Sequence, residues 1–395
     1  MSTTTSKEET TKETSKSQKV IFNLKGNSNN KSTKNGGKTI MKFKFMGVGA
    51  AGNKAAMALI NAKVASDKDV ILVNSTDKDI PKDFGGKVVI ISNESSGCAK
   101  ERKYGKQFAM ECVKNGDFDK VLSDDDTHVV IISSVEGGTG SGAAPVIGKY
   151  IATKDHPLTV SMIAFLGFED DSRGFENTLG FLNDINFECS IQLIRNISFL
   201  ESANGNKFKA EKLANEELVE RVKTMLGMYN AMETEQNIDD MEMEKLVGAS
   251  GYTTIESIYF DSNIMDAAEF NKLCKQMVYQ TKSLKSSNPC QIYQGVILNI
   301  KPESEDGIDY SFASLKEMYG NAHDKFLHKQ YDGGRQYMKF ISAGMKMPLD
   351  EVKIIYERYK EESASVDKSS DNFFEEIGKF DIEDTERFNI SRRRS

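Results

Sequence analysis

From residue 41 to about residue 208, short apolar runs alternate with stretches in which apolar positions return every three or four residues. Met41 to Phe45 alternates charged and apolar residues as a strand does. The runs Ile71 to Val73, Val88 to Ile91, Val129 to Ile132, Val160 to Phe165 and Ile191 to Ile194 predict further strands. Strands separated by helical stretches imply an α/β fold, a mostly parallel sheet of Rossmann type covered by helices. Ala214, Leu218, Val222, Met225, Tyr229 and Met232 then recur at helical spacing and predict a long central helix. Begun near Lys209, it would span on the order of 35 Å at 1.5 Å per residue.

Further on, Ile292 to Ile300 and Gln336 to Ala343 are candidate strands of a second α+β domain. Pro348, Asp350 and Glu351 open an acidic helix start, followed by an apolar face at Val352, Ile355, Tyr356 and Tyr359. The predicted organisation is an extension over 1–40, a ligand-binding domain over 41–208, the central helix over 209–232, a second domain over 233–345, and a C-terminal helix and charged tail over 346–395. The extension is rich in Ser, Thr, Lys, Asn and Gly, with one apolar patch at Val20 to Leu24. It is expected to be a solvated arm, or else a basic segment touching a neighbouring subunit or an acidic surface.

Composition narrows the function classes. With 395 residues, 38% apolar and 28% charged, the chain has ordinary globular character and room for two domains. No apolar run approaches the roughly 20 residues of a membrane helix, and the N-terminus lacks an apolar signal core, so a cytoplasmic protein with no membrane partner is expected. Cys98, Cys112, Cys189, Cys274 and Cys290 are widely spaced, with no Cys-x-x-Cys pair, and predict free thiols. A net charge of −7 argues against broad direct DNA binding, leaving any DNA link local or through an adaptor.

Two glycine-rich segments carry the candidate chemistry. Gly137, Gly138, Thr139, Gly140, Ser141 and Gly142 follow the run ending at Ile132 and lead into an apolar segment at Ala143. Strand, glycine loop and helix start in that order form a phosphate cradle, because glycine lets backbone amides turn inward and a helix N-terminus attracts anions. No Lys-Ser or Lys-Thr follows the last glycine, which excludes a Walker loop. The second segment, Gly47, Val48, Gly49, Ala50, Ala51, Gly52, Asn53, follows Met41 to Phe45. It also fits a dinucleotide fingerprint, but Val70 to Val73 ends in Asn74, Ser75, Thr76, Asp77 rather than in a ribose-binding acid, which weakens a dehydrogenase reading. Taken alone, a glycine-rich stretch of this kind has a tight turn as its alternative reading.

Taken together, the segments resemble the tubulin/FtsZ superfamily. Residues 136–142 match its glycine-glycine-glycine-threonine-glycine-serine/threonine-glycine loop at six of seven positions, the exception being Glu136. Gly47 to Asn53 looks like the family's first nucleotide loop, and the Asn74 to Asp77 segment is similar to its second. The resemblance implies a GTPase that binds GTP or GDP with Mg²⁺. Its phosphates would lie on Gly47, Gly49, Ala50, Ala51, Gly52 and Gly137 to Gly142. Phe168, Glu169, Asp170, Asp171, Ser172, Arg173 resembles the ribose loop, implying Glu169 at the ribose and Arg173 near the phosphates; a surface Glu/Arg pair is the alternative. Asn53, Asn196, Asn215 and Glu216 are implied ribose- or base-contacting residues, the amides suiting guanine's mixed edge. Asp77 is the implied metal residue, with Asp79 as alternative, and Ser95, Ser96, Gly97, Cys98, Ala99 stands where the family has its γ-phosphate loop.

The same resemblance implies a catalytic site completed by a neighbour. Asn263 to Phe270 resembles the family's catalytic loop, so Asp266 and Glu269 would act on the nucleotide of the next subunit in a head-to-tail filament. Acids three apart share a face, although two acids in a first helical turn also complement its dipole. The acidic stretch from Glu375 to Glu386, followed by Arg392, Arg393 and Arg394, resembles the tails of TubZ, the plasmid and phage segregation tubulins, and implies a TubR-like DNA-binding adaptor as partner. A solvated tail is the alternative. A division-type FtsZ and a Rossmann-type nucleotide-dependent enzyme are the alternative functions.

Overall fold

The computed structural model describes residues 23–24, 39–92, 97–229, 234–285 and 291–361. Most of the extension over 1–40, Ser95 and Ser96, Cys290 and the charged tail beyond Glu361 lie outside the described residues. A short ribbon pairs β1 (Asn23–Leu24) with β2 (Thr39–Ile40). The chain then runs β3 (Phe43–Val48), α1 (Gly49–Asn61), β4 (Val70–Asn74), β5 (Lys87–Ile90), α2 (Arg102–Lys114), β6 (His128–Ser134), α3 (Gly138–Thr153), β7 (Thr159–Leu166), α4 (Ser172–Asp184) and β8 (Ser190–Arg195). These strands lie in the order β5-β4-β3-β6-β7-β8, each parallel to its neighbours.

The apolar runs are continuous because this half-sheet is covered on both faces. Met46, Ile71, Val73, Val129 and Ile131 pack with Ala143, Ala144 and Phe181 on the α2–α3–α4 side. The intervening Phe45, Leu72, Val130 and Ile132 pack with Ala55, Leu59, Ala214 and Leu218 on the α1–α5 side, where α5 is the central helix, Lys207–Met225. The chain leaves β3 outward through β4 and β5, then returns to β6 on the other side of β3. The crevice between the carboxyl ends of β3 and β6 is therefore the topological switch point, where open α/β sheets bind ligands.

The central helix starts and stops earlier than its apolar period suggests. Asn206 caps it, its side chain accepting from the Lys209 amide at 3.0 Å. It ends because Gly227 takes a left-handed conformation (φ 63°), with the Gly227 amide bonded to Thr224 O at 3.0 Å and that of Met228 to Lys223 O at 2.9 Å. That pair of bonds is a Schellman stop. Tyr229 is buried beyond the helix end, and Met232 lies outside the described residues. The 19-residue helix is about 28 Å long rather than 35 Å.

After α5 come β9 (Thr234–Gln236), α6 (Asp240–Gly248), β10 (Gly251–Phe260), α7 (Ala267–Tyr279), β11 (Tyr293–Asn299), α8 (Ala313–Tyr319), β12 (Asp324–Gln330) and β13 (Gln336–Met345). A final helix covers residues 349–361. β10 joins β8 in parallel only through Gly251–Ser190 and Tyr252–Ile191, then pairs antiparallel with β13 along most of its length. Among the described residues the result is one eleven-stranded sheet, continued by β13-β11-β12-β9.

Buried polar contacts bind α5 to this second set of strands. Arg221, 1% exposed, donates to Glu217 Oε1 at 2.8 Å and to Ser283 Oγ at 3.0 Å. Lys339 of β13 donates to Thr224 Oγ1 at 3.0 Å. Buried charges need such partners, since an unpaired one costs several kcal/mol, on the order of 3–5.

Candidate nucleotide site

The glycine loops face each other across the switch point, and all but one of their glycines answer a specific steric demand. Gly49, which opens α1, has φ 77°, a conformation that side chains other than glycine's rarely adopt. A Cβ there would lie 3.0 Å from the Gly140 amide. A Cβ on Gly52 would collide with the carbonyl oxygen of Ile132, so α1 rests directly on β6. On Gly140 it would lie 2.7 Å from Ser134 O and 3.2 Å from Val48 O, while on Gly142 it would collide with Arg102 O in α2. Gly47 and Gly138 are equally confined, at 2.8 Å from Gly52 O and from the Glu101 amide, whereas Gly137 has nothing within 4 Å.

Neither α1 nor α3 has a side-chain cap at its N-terminus. Their first-turn amides, which have no intrahelical acceptor, are available to an anion. They border a cavity of about 310 Å³ lined by Gly49, Ala50, Ala51, Gly137, Gly138, Thr139 and Gly140, with Asn74, Ser75, Asp79, Gly97 and Cys98 on the other side. Ser75 Oγ and Thr139 Oγ1 are 2.9 Å apart. Asn74 Nδ2 donates to Asp79 Oδ2 at 3.2 Å, holding that carboxylate at the rim.

A second cavity of about 250 Å³ shares Ala50, Ala51 and Ser134 with the first and continues the cleft. Lys54, Glu136, Phe165, Gly167, Phe168, Asn196, Glu211 and Asn215 line it. Asn196, 9% exposed, has a buried Oδ1 with no hydrogen-bond partner among the described residues. A buried acceptor left open in this way is suited to a donor on a ligand. The cleft thus has an amide-rich, anion-attracting half and a half with an aromatic ring and carboxamides.

Several residues implied by the sequence lie elsewhere. Asn53 is buried beneath α1, where Nδ2 donates to Val73 O at 3.3 Å and ties α1 to β4. Ser141 closes the first turn of α3 on Gly137 O instead of facing the cavity. Glu169 is drawn to Arg195 at the end of β8, at 2.6 and 3.0 Å, and lines an apolar recess with Phe175 and Val352 that Glu136 borders from the cleft side. Arg173 pairs with Glu101. Glu216 borders an adjoining groove of about 660 Å³ between α1 and α5, with Lys212 and Lys223, which shares Lys54 and Asn215 with the second cavity.

Asp77 does not line the cleft; Asp79 does. Among the described residues no group of three or more His, Cys, Asp or Glu could hold a metal ion. One rim carboxylate beside two hydroxyls suits an ion whose remaining ligands are phosphate oxygens and water.

Asp266 and Glu269 are exposed at the start of α7 and line neither cavity. Asp266 Oδ1 accepts from the amides of Ala268 and Glu269 at 2.8 and 2.9 Å, and Glu269 Oε2 accepts from Met265 N at 2.8 Å. Asp266 caps the helix while Glu269 ties back to the residue before the cap, and the chain does not bring them to its own cleft.

The sequence reading passed over Lys54, Glu136, Phe168 and Glu211 as cleft residues. Glu211 was accessible from spacing, because it precedes Asn215 by one helical turn. The position of Glu136 depends on a fold contact with Gly167, which no local pattern announces.

Residues 42–202 match the Tubulin/FtsZ family, GTPase domain. This part of the chain, which holds most of the cleft, is similar to the GTPase domain of that family. Cell division protein FtsZ 1 of Pyrococcus woesei is 31% identical over 183 residues, covering 45% of this chain and 49% of the relative. The chain thus spans about half the length of the curated relatives it matches.

The fold itself is that of tubulin and FtsZ. A GTPγS-form protofilament of Bacillus thuringiensis serovar israelensis TubZ aligns with TM-score 0.65 and 16% identity, covering 83% of this chain and 94% of that one. CetZ2 from Haloferax volcanii, a GTPγS-bound protofilament, aligns with TM-score 0.64 and 18% identity, covering 84% and 100%. Among the described residues no helix is long and apolar enough to cross a membrane.

The glycines should separate cleanly by mutation. Gly140→Val forces a branched side chain against Ser134 O and Val48 O, and is expected to destabilise by about 1–3 kcal/mol and abolish nucleotide binding. Gly137→Ala meets nothing within 4 Å and should unfold at the same denaturant concentration as the wild type. Urea unfolding with a parallel nucleotide titration checks both; equal binding by Gly140→Val and wild type would contradict the cradle.

Proposed function

We propose that this chain binds GTP in the cleft and hydrolyses it on head-to-tail assembly, forming filaments that move plasmid or phage DNA. The observation that carries the reading is the switch-point cradle: two uncapped helix N-termini converge there, and the same cleft ends at the open Oδ1 of Asn196. The amides of the two glycine loops would hold the phosphates, and Ser75 and Thr139 would add hydroxyl contacts. Asn196 and Asn215 would address the base with Glu211, whose carboxylate can accept from guanine's ring N–H and amino group. Phe168 would cover one side. Asp79 would hold Mg²⁺ together with phosphate oxygens; that ion supplies charge neutralisation at the phosphates.

Hydrolysis needs a group that orients or deprotonates water, and Asp266 and Glu269 are assigned that role on a neighbour's nucleotide. Their exposure at the tip of α7, apart from their own cleft, supports action between subunits. The relatives described as protofilaments support self-association. In this reading residues 233–345 form the domain that presents the acids. The cargo assignment rests on the sequence of the tail, with its acidic stretch and Arg392 to Arg394, as the handle for a DNA-bound adaptor. The FtsZ match over 183 residues favours division as the second reading.

Because Asp266 caps α7 and Glu269 bonds the Met265 amide just before it, alanine variants confound catalysis with a lost local bond, about 1 kcal/mol for the cap. Asp266→Asn and Glu269→Gln retain an acceptor for these bonds and remove the carboxylate. Both should bind GTP within about twofold of wild type, lose at least tenfold in turnover, a barrier increase of about 1.4 kcal/mol, and pellet as longer-lived filaments. Wild-type turnover in both would remove these acids from catalysis. For the cargo, deletion after Glu361 should spare GTP-dependent pelleting and abolish capture of adaptor-coated DNA. Capture equal to that of the full chain would reject the tail as handle.

A further inference from the structure

The signature loop departs from glycine at Glu136, and the chain around it is shaped to that side chain. A Cβ on Gly167 would collide with both Glu136 carboxylate oxygens, and one on Gly174 would lie 3.1 Å from its carboxyl carbon. Glu136 Oε1 accepts from the Gly167 amide at 2.9 Å. Asn177 Nδ2 donates to the Glu136 carbonyl oxygen at 2.8 Å, fixing the backbone as well. Two glycines and a carboxamide thus hold one carboxylate at a defined place on the cleft wall.

In the nucleotide reading above, the sugar would lie between the phosphate half and the base-contacting residues of the cleft. Glu136 lines the nucleoside half of the cleft but not the phosphate half, and is two residues from Ser134, which lines both. The other carboxylate lining this half, Glu211, sits one helical turn from Asn215 and therefore on the base side. Glu169, the acid implied at the ribose by the sequence, is engaged by Arg195.

We propose that Glu136 reads the ribose: with Oε1 held by Gly167, its carboxylate accepts a hydrogen bond from a 2′- or 3′-hydroxyl of the bound nucleotide. This rests on the nucleotide reading above and adds a specificity residue to it. Burial pushes the Glu136 carboxyl up to about 7, the Gly167 amide opposes that rise, Asp171 and Asp170 add to it, and Lys100 opposes it. A hydroxyl donor bonds the charged form and favours it.

The test is calorimetric binding of GTP, 2′-deoxy-GTP and 3′-deoxy-GTP to the full chain and to Glu136→Ala, Glu136→Gln and Glu169→Ala. A hydrogen bond to a charged acceptor predicts that the wild type discriminates against one deoxy analogue by roughly ten- to a hundredfold. Glu136→Ala should bind GTP and that analogue equally. Glu136→Gln, which keeps the volume and an acceptor for Gly167, should narrow the ratio by at least threefold and carries the decision should the alanine variant not fold. Glu169→Ala should discriminate as the wild type does.

Undiminished discrimination in the Glu136 variants, or its loss in Glu169→Ala, overturns the assignment. Equal wild-type binding of all three nucleotides overturns the ribose role alone. A wild type that binds none of them removes the nucleotide reading and this one with it.

Discussion

The site depends on the direct contact of α1 with β6 at Gly52. Because no side chain separates Gly52 from the Ile132 carbonyl, the start of α1 sits against the end of β6. The β3–β6 register places Val48 opposite Ser133, so both strands release their loops at the same level. Gly49 and Gly140 then touch, and two helix N-termini share one cavity. Their partial positive charges add where a polyphosphate would sit, without the lysine that a Walker loop supplies.

The central helix makes the cleft part of a larger mechanical unit. Glu211 and Asn215 line the second cavity of the cleft, and about two turns later Arg221 and Thr224 are fastened to Ser283 and Lys339. One helix therefore borders the cleft at one end and the second group of strands at the other. The direct strand pairing between the two parts is slight, two residue pairs of β8 and β10.

Much of this was legible in the sequence, for physical reasons. Strands buried on both faces leave unbroken apolar runs, and loops that must bring backbone against backbone leave glycines. What was not legible depends on partners distant in sequence. Glu169 and Arg173 carry a ribose-loop pattern, yet Arg195 and Glu101 capture them. Glu136 reads as a defect in a glycine loop until Gly167 and Gly174 are seen to make room for it. The end of α5 illustrates another limit: the apolar period ran on to Met232, while the stop lay in a single glycine, Gly227. Asp266 and Glu269 have a spacing shared by helix caps and catalytic pairs, and their capping geometry is what the isolated chain displays.

The central claim is that one chain holds the nucleotide and another completes its hydrolysis. Steady-state GTP turnover per chain, measured across protein concentration from well below to well above the onset of pelleting, tests it most directly. The account predicts negligible turnover per chain at low concentration and a rise that begins where filaments form. Turnover per chain that is constant across that range would contradict it, because hydrolysis would then belong to the single subunit.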